Sequence, residues 1–274
     1  MELHTAWYVV IAALGLCLGS FFNVAIHRWP SEDPKEREWV RTPSHCPHCR
    51  ARIRWYDNIP ILSFALLRGR CRACGAPISW RYPAVELGTA VLWTVTTWLV
   101  AQYGLTGIEP TSQTAWHIGF ALLFASLYLL TVIIDAQTKL IPDEITVAQL
   151  VGAWLFLWLC HGATISPGWQ ASLLGMFVLS LFFLVLWYFG GMGLGDVFLA
   201  AGFGALFGWK LVIVVGFLGV LLGGVVAIVT MGTMLIRRRY KRGLQIPFGP
   251  FLAVAAYVCL FLGYDLLEWY LGLF

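Results

Sequence analysis

Two aspartates stand where apolar runs give way to polar connections: Asp135 closes Ile133-Ile134-Asp135, and Asp196 ends Gly191-Met-Gly-Leu-Gly-Asp196. Carboxylates beside hydrocarbon are costly, so each invites a functional reading. Asp135 ends an apolar run, where a helix dipole opposes negative charge, and helix capping does not account for it. Asp196 follows glycines at alternate positions, which allow a sharp turn and the close approach of another chain. Glycines also serve plain helix packing in membranes. Two carboxylates on separate helices at one face suit acid–base hydrolysis of an amide. One, ionised, takes a proton from water, and the other, protonated, donates to the scissile group. Glu86, Asp143 and Glu144 are the other acidic residues at span boundaries. Asp143 and Glu144 follow Pro142 at a helix start, where the dipole favours negative charge without any catalysis.

Cys46-x-x-Cys49 and Cys71-x-x-Cys74 have the spacing of a four-thiolate zinc site. Two knuckles closing on a tetrahedral ion would hold together a polar loop that lacks a core of its own. Thiol–disulfide exchange is the rival; it suits one such pair better than two, and a reducing compartment disfavours stable disulfides. His45 and His48 could substitute as ligands, but four cysteines already fill a closed site, which leaves the histidines as exposed neighbours. Cys17, Cys160 and Cys259 lie in apolar runs and read as small packing residues.

Positioning these groups falls to helices that cross a bilayer. The chain is 59% hydrophobic and 12% charged, against about 25% charged in a soluble domain. Eight apolar runs of crossing length are expected, at 6–26, 83–102, 116–134, 145–160, 171–189, 197–207, 211–236 and 250–270, the sixth short and Gly-rich. Lys and Arg fall in 27–82, at Lys139 and in 237–242, leaving only Lys210 elsewhere. With basic loops retained inside, those connections face the cytoplasm and both termini face outward. The net charge of +4 is thereby a topology signal, and no nucleic-acid partner is expected. No Lys or Arg precedes the first run, which reads as a retained, inverted first helix. The expected fold is an all-α polytopic membrane protein of about eight transmembrane helices with a small cytoplasmic zinc-binding insert. Its partition is a first helix over 1–28, the insert over 29–82 and a helical membrane domain over 83–274. No internal repeat or coiled-coil heptad is evident.

With these residues in view, the chain resembles the type IV prepilin peptidases, a branch of the GxGD membrane aspartyl proteases. The resemblance rests on Gly193-Leu-Gly-Asp196, Asp135 with Leu140-Ile-Pro-Asp143, Gly19-Ser-Phe-Phe-Asn23-Val, the doubled Cys pairs and Arg68-Gly-Arg-Cys71. It extends to Ile78-Ser-Trp-Arg-Tyr-Pro83 through Glu86, and to Ile246-Pro-Phe-Gly-Pro250. It implies that Asp135 and Asp196 are the catalytic pair and that Gly193, Gly195 and Asp143 line the substrate approach. Substrates would be prepilins and pseudopilins, whose basic leader ends in Gly before a hydrophobic helix, cut at the cytoplasmic face of a bacterial inner membrane. It further implies N-methylation of the new terminus with S-adenosylmethionine, with Gly69, Glu86, Gly19 and Asn23 as candidates near the donor. Phe198 stands where the family usually has Lys, which removes a cation expected to act on Asp196.

Three rivals remain open on the residues alone. A proton-coupled transporter would also place carboxylates in membrane helices, but with midplane acids and repeat symmetry between halves. A membrane thiol oxidoreductase would use the Cys pairs. A peptidase without methyltransferase activity would lack only the second reaction, and no strand–GxGxxG–helix context supports a donor site here.

Overall fold

The computed structural model describes residues 5–31, 43–103, 114–159, 168–190, 192–237 and 246–272. Among them the chain forms eight α-helices and one 3-10 turn, with two isolated bridges and no strand. The contacts divide it into two units, Met1–Ala101 and Gln102–Phe274.

The first unit holds α1 (Thr5–Arg28), the short α2 (Leu62–Leu66) and α3 (Arg81–Tyr103). Glycines on α1 let its backbone meet that of α3, as small residues do between membrane helices. A Cβ on Gly15 would lie 2.7 Å from the Ala90 Cα, and one on Gly19 2.6 Å from the Glu86 Cα. Two buried polar side chains then fasten the pieces. Asn23 donates from Nδ2 to the Tyr82 carbonyl at 3.0 Å, and Glu86 accepts the Ile61 N–H at 2.7 Å.

The second unit holds α4 (Thr114–Thr138), α5 (Asp143–Leu159), α6 (Gly168–Tyr188), α7 (Leu194–Ile236) and α8 (Gly249–Leu271). Glycine again sets the packing. On α7, a Cβ on Gly204 would come within 2.2 Å of the Gly175 carbonyl oxygen on α6, so the two backbones touch. Gly202 admits Gln149 of α5, and Gly219 admits Leu252 of α8. Phe124, Phe156, Phe183, Phe203 and Phe207 fill the interior. Large apolar side chains such as Phe177, Phe182, Phe217 and Ile228 face outward, as suits a helix bundle solvated by lipid.

Six of these helices are long and apolar enough to cross a membrane. The eight expected runs are nonetheless helical where described, apart from Phe189 in the turn after Tyr188, and the count of six has two reasons. α5 has 17 residues, about 26 Å of helix, near the thickness of the hydrocarbon. α7 is interrupted at Gly208, where φ is 68°, between the sixth and seventh runs. A left-handed residue there lets the chain break without the strain a side chain would bring. Cys160, Gly191 and the connections 104–113, 161–167 and 238–245, with Lys35, Arg37 and Arg41 of the insert, lie outside the described residues.

Candidate active site

Asp135 lies in the last turn of α4 and is 5% exposed. The helix stops at once: Lys139 takes a left-handed φ of 57° and returns its N–H to the Asp135 carbonyl at 2.8 Å, an αL termination. Leu140, Ile141 and Pro142 then lead into α5 at Asp143. Asp196 lies in the first turn of α7, 9% exposed. Its Oδ2 accepts the Gly193 N–H at 3.3 Å, satisfying one of the amides that every helix start leaves over.

Ile141 brings the two ends together. Its side chain packs on Gly195, where a Cβ would sit 3.1 Å away, and on Gly249 at the head of α8, again at 3.1 Å. Gly249 in turn lies so close to Asp135 that a Cβ would stand 2.7 Å from Oδ2. The two aspartates are within electrostatic reach of each other. Each also keeps one buried oxygen without a hydrogen-bond partner, Oδ2 of Asp135 and Oδ1 of Asp196. Buried carboxylate oxygens are ordinarily paired, so two such atoms in one cluster mark a place where a shared proton and a polar reactant would be held.

Asp143 is exposed in the first turn of α5, with Glu144 beside it. Phe198 is 55% exposed while Val197 and Leu199 are buried. A side chain at position 198 therefore points away from the packed face that carries Asp196, and a cation there would not be its partner. Gly249 and Ile141 were not singled out from the sequence, although both belong to motifs visible in it. The available signal was Pro250 directly after Gly249, the mark of a helix start.

In the first unit the four sulfurs of Cys46, Cys49, Cys71 and Cys74 lie within 4.8 Å of one another. The two knuckles share one backbone pattern. Cys46 N–H bonds Ala51 and Arg50 N–H bonds Cys46, just as Cys71 bonds Ala76 and Gly75 bonds Cys71. The residue after each second cysteine is left-handed, Arg50 at φ 55° and Gly75 at φ 71°. Backbone N–H groups of Cys74 and Ala73 aimed at Cys71 bring its thiol down to about 7, so thiolate is present at neutral pH. Cys74 goes the other way, to about 11: despite the Ala76 N–H, burial and the neighbouring sulfurs disfavour a second charge. His45 turns its Nδ1 to the Pro43 carbonyl at 3.2 Å, and His48 is exposed. Arg72 grips Asp57 across the insert at 2.7 Å and holds that carboxyl below its usual range.

The other candidates of this unit have structural partners. Gly19 lies against Glu86, Asn23 and Glu86 make the bonds given above, and Gly69 has a φ of 67° with the Phe64 ring 3.1 Å from where a Cβ would stand. A cavity of about 300 Å³ opens beside α1, lined by Ser20, Phe21, Val24 and Arg28 and, from the insert, Ser44 and Asn58.

Residues 13–100 match the model of the bacterial peptidase A24 N-terminal domain, and residues 121–228 that of the type IV leader peptidase family. A protein of Aeromonas hydrophila described as prepilin leader peptidase/N-methyltransferase is 35% identical over 97% of this chain and 94% of its own length. The chain belongs to the type IV leader peptidase family. Proteins of the same description from Pseudomonas aeruginosa and Legionella pneumophila are 33% and 30% identical, each over 97% of this chain and 94% of theirs. No solved structure matches the chain. In this leader peptidase family member both aspartates and Gly195 lie within the segment matched by the peptidase model, whereas all four clustered cysteines lie in the N-terminal match.

Proposed function

We propose that this chain is a membrane aspartyl endopeptidase that removes the basic leader of prepilins and pseudopilins after Gly and then N-methylates the new terminus. The observation that carries the peptidase reading is the pair of buried aspartates, each with an unpartnered oxygen, gathered by Ile141 and Gly249 at adjoining helix ends. Close carboxylates in a desolvated place cannot both ionise cheaply, so the pair shares one proton. The helix ends divide the roles. Asp196, at a helix N-terminus and bonded by the Gly193 N–H, is the ionised member that takes a proton from water. Asp135, in the last turn of α4, keeps the proton and gives it to the amide nitrogen as the bond breaks, after which the roles exchange. No nucleophilic Ser or Cys is needed. Gly193 and Gly195 leave room for the substrate backbone, and exposed Asp143 stands at the approach. The basic leader stays among headgroups of the cytoplasmic leaflet of a bacterial inner membrane, with both termini of the enzyme outward.

The insert, residues 29–82, carries a structural zinc. Four sulfurs within 4.8 Å fit a tetrahedral ion with Zn–S near 2.3 Å after a small contraction. Cys46, Cys49, Cys71 and Cys74 hold it, and what it supplies is folding energy. The methyltransferase reading is supported by the descriptions of the relatives. When bound, S-adenosylmethionine supplies a methyl group to the neutral terminal amine, leaving a thioether and releasing one proton.

Incubation of the purified enzyme with a full-length prepilin, followed by mass spectrometry, tests both activities. Loss of about 1–3 kDa marks leader removal, and a further gain of about 14 Da one methyl group. An uncut substrate would refute the peptidase reading. A cut product that never gains the methyl mass in the presence of donor would leave a peptidase alone.

A further inference from the structure

Two turns of helix from the aspartates, the interior of the second unit holds further polar side chains to which hydrolysis has so far given no work. Phe124, Tyr128, Thr131 and Asp135 fall on one stripe of α4 at helical spacing, and all four are buried. α4 and α5 are joined at 139–142 and meet again where Phe124 packs on Gly152, 3.7 Å from the place of a Cβ, so they run antiparallel. Gln149, one turn before Gly152, therefore comes to the level of Tyr128. α7 meets both: Gly202 takes the Gln149 amide, whose Cδ lies 2.8 Å from the place of a Cβ, and the adjacent Phe203 ring meets the Tyr128 ring at 5.5 Å. This layer lies about 10 Å along α4 from Asp135 and about 9 Å along α7 from Asp196. Gln149 is 0% exposed, yet neither its Oε1 nor its Nε2 has a hydrogen-bond partner, and the buried Tyr128 hydroxyl has none either. Between the layer and the aspartates, Thr131 and Thr146 donate to the Leu127 and Asp143 carbonyls, which leaves their hydroxyl oxygens able to accept.

A buried amide offers two N–H donors and a carbonyl acceptor, and a single phenol cannot meet all three. Dry burial of such groups is costly, whereas one water makes about three hydrogen bonds to groups of this kind. We propose that Tyr128 and Gln149 hold a buried water between α4, α5 and α7, and that this site, by way of Thr131 and Thr146, replenishes the water consumed at Asp135 and Asp196. The supply rests on the peptidase reading above; the site itself rests on the unpartnered groups. Each cleavage consumes one water, whose hydroxyl joins the acyl carbon as the amide bond breaks and whose remaining proton goes to the amine. A substrate backbone seated at Gly193 and Gly195 stands between the aspartates and headgroup water, so supply from the interior matters most while substrate is bound. Tyr128 and Gln149 are thus positioning residues and do not touch the reacting bond.

X-ray hydroxyl-radical footprinting of the full-length protein in lipid nanodiscs tests the site without reference to activity. Radicals form from water, so a buried ring is oxidised where a water is bound beside it. Tyr128 should be oxidised in the wild type, and Gln149→Leu should lower that oxidation about fivefold or more while exposed Tyr56 of the insert stays unchanged. Absence of Tyr128 oxidation in folded wild type, or its full retention in folded Gln149→Leu, would overturn the site. The supply is tested by steady-state cleavage of prepilin. Gln149→Leu keeps the volume and loses the amide, whereas Gln149→Asn loses volume and keeps the amide. Gln149→Leu should lower the turnover number about fivefold or more with KM within about twofold, and Gln149→Asn should stay within about twofold of wild type in both. A residue that only filled space would give the opposite order, and that order, or undiminished turnover in Gln149→Leu, would overturn the supply. Should Gln149→Leu not fold, Tyr128→Phe, which removes one oxygen, repeats the measurement with the same expected loss. A wild type that leaves prepilin uncut would instead sink the peptidase reading and the supply with it, while footprinting still decides the water site.

Discussion

Gly249 is the residue whose side chain, or want of one, most directly shapes the aspartate pair. A Cβ there would stand 2.7 Å from Asp135 Oδ2, displacing the carboxylate by tenths of an ångström in a site where such shifts matter. Gly249→Ala is therefore expected to lower the turnover number for prepilin cleavage about tenfold or more while the protein remains folded, as initial rates at saturating substrate would show. Asp143→Asn should lower cleavage only mildly, because Asp143 is exposed, unlike the buried pair. Phe198→Lys should leave cleavage near the wild-type rate, since position 198 faces away from Asp196. The sequence disclosed the aspartates through the cost of charge beside hydrocarbon, and the cysteines through their spacing. It did not disclose Gly249 or Ile141, whose importance comes from contacts between helices far apart in the chain. Nor did it disclose that Gly19, Asn23 and Glu86 fasten α1, α3 and the insert, since a hydrogen bond to a distant backbone group leaves no local pattern.

At the scale of elements, glycine decides which helices meet. Gly204→Leu would drive a side chain into the Gly175 backbone and should destabilise the α6–α7 pair by about 1–3 kcal/mol or more. Gly224→Ala, on the same helix with nothing within 4 Å of the new methyl, should keep or slightly raise the unfolding temperature in detergent, by the helix propensity of Ala over Gly. Comparing the two separates packing from helix propensity, for both replace glycine in a helix. Helix positions were legible from runs of apolar residues, including the division of α7 into two runs at Gly208. Partner choice was not, because in lipid nearly every face is apolar and hydrophobicity no longer marks the inside. The pairing of the two knuckles was legible from the cysteine spacing, but their common backbone course was not. Beyond the cysteines they share only Ala51 with Ala76 and Ile53 with Ile78, while the repeated pattern lies in backbone hydrogen bonds.

For the whole molecule, zinc and hydrolysis are expected to be separable. Cys46→Ser or prolonged chelation should lower zinc content and the yield of folded protein, and activity should fall only in proportion to that yield, since a closed thiolate site offers no open position to water. Parallel measurement of zinc, folded fraction and cleavage checks this; loss of chemistry in zinc-free but folded protein would count against it. The central claim is narrower: Asp135 and Asp196 of this type IV leader peptidase family member share one proton and together activate water. It is tested most directly by the single-turnover rate at which purified, folded Asp135→Asn and Asp196→Asn cut a prepilin. Each is predicted to lose about 10²-fold to 10⁴-fold or more, the contribution of a positioned acid or base. Cleavage by either variant at close to the wild-type rate would contradict the account.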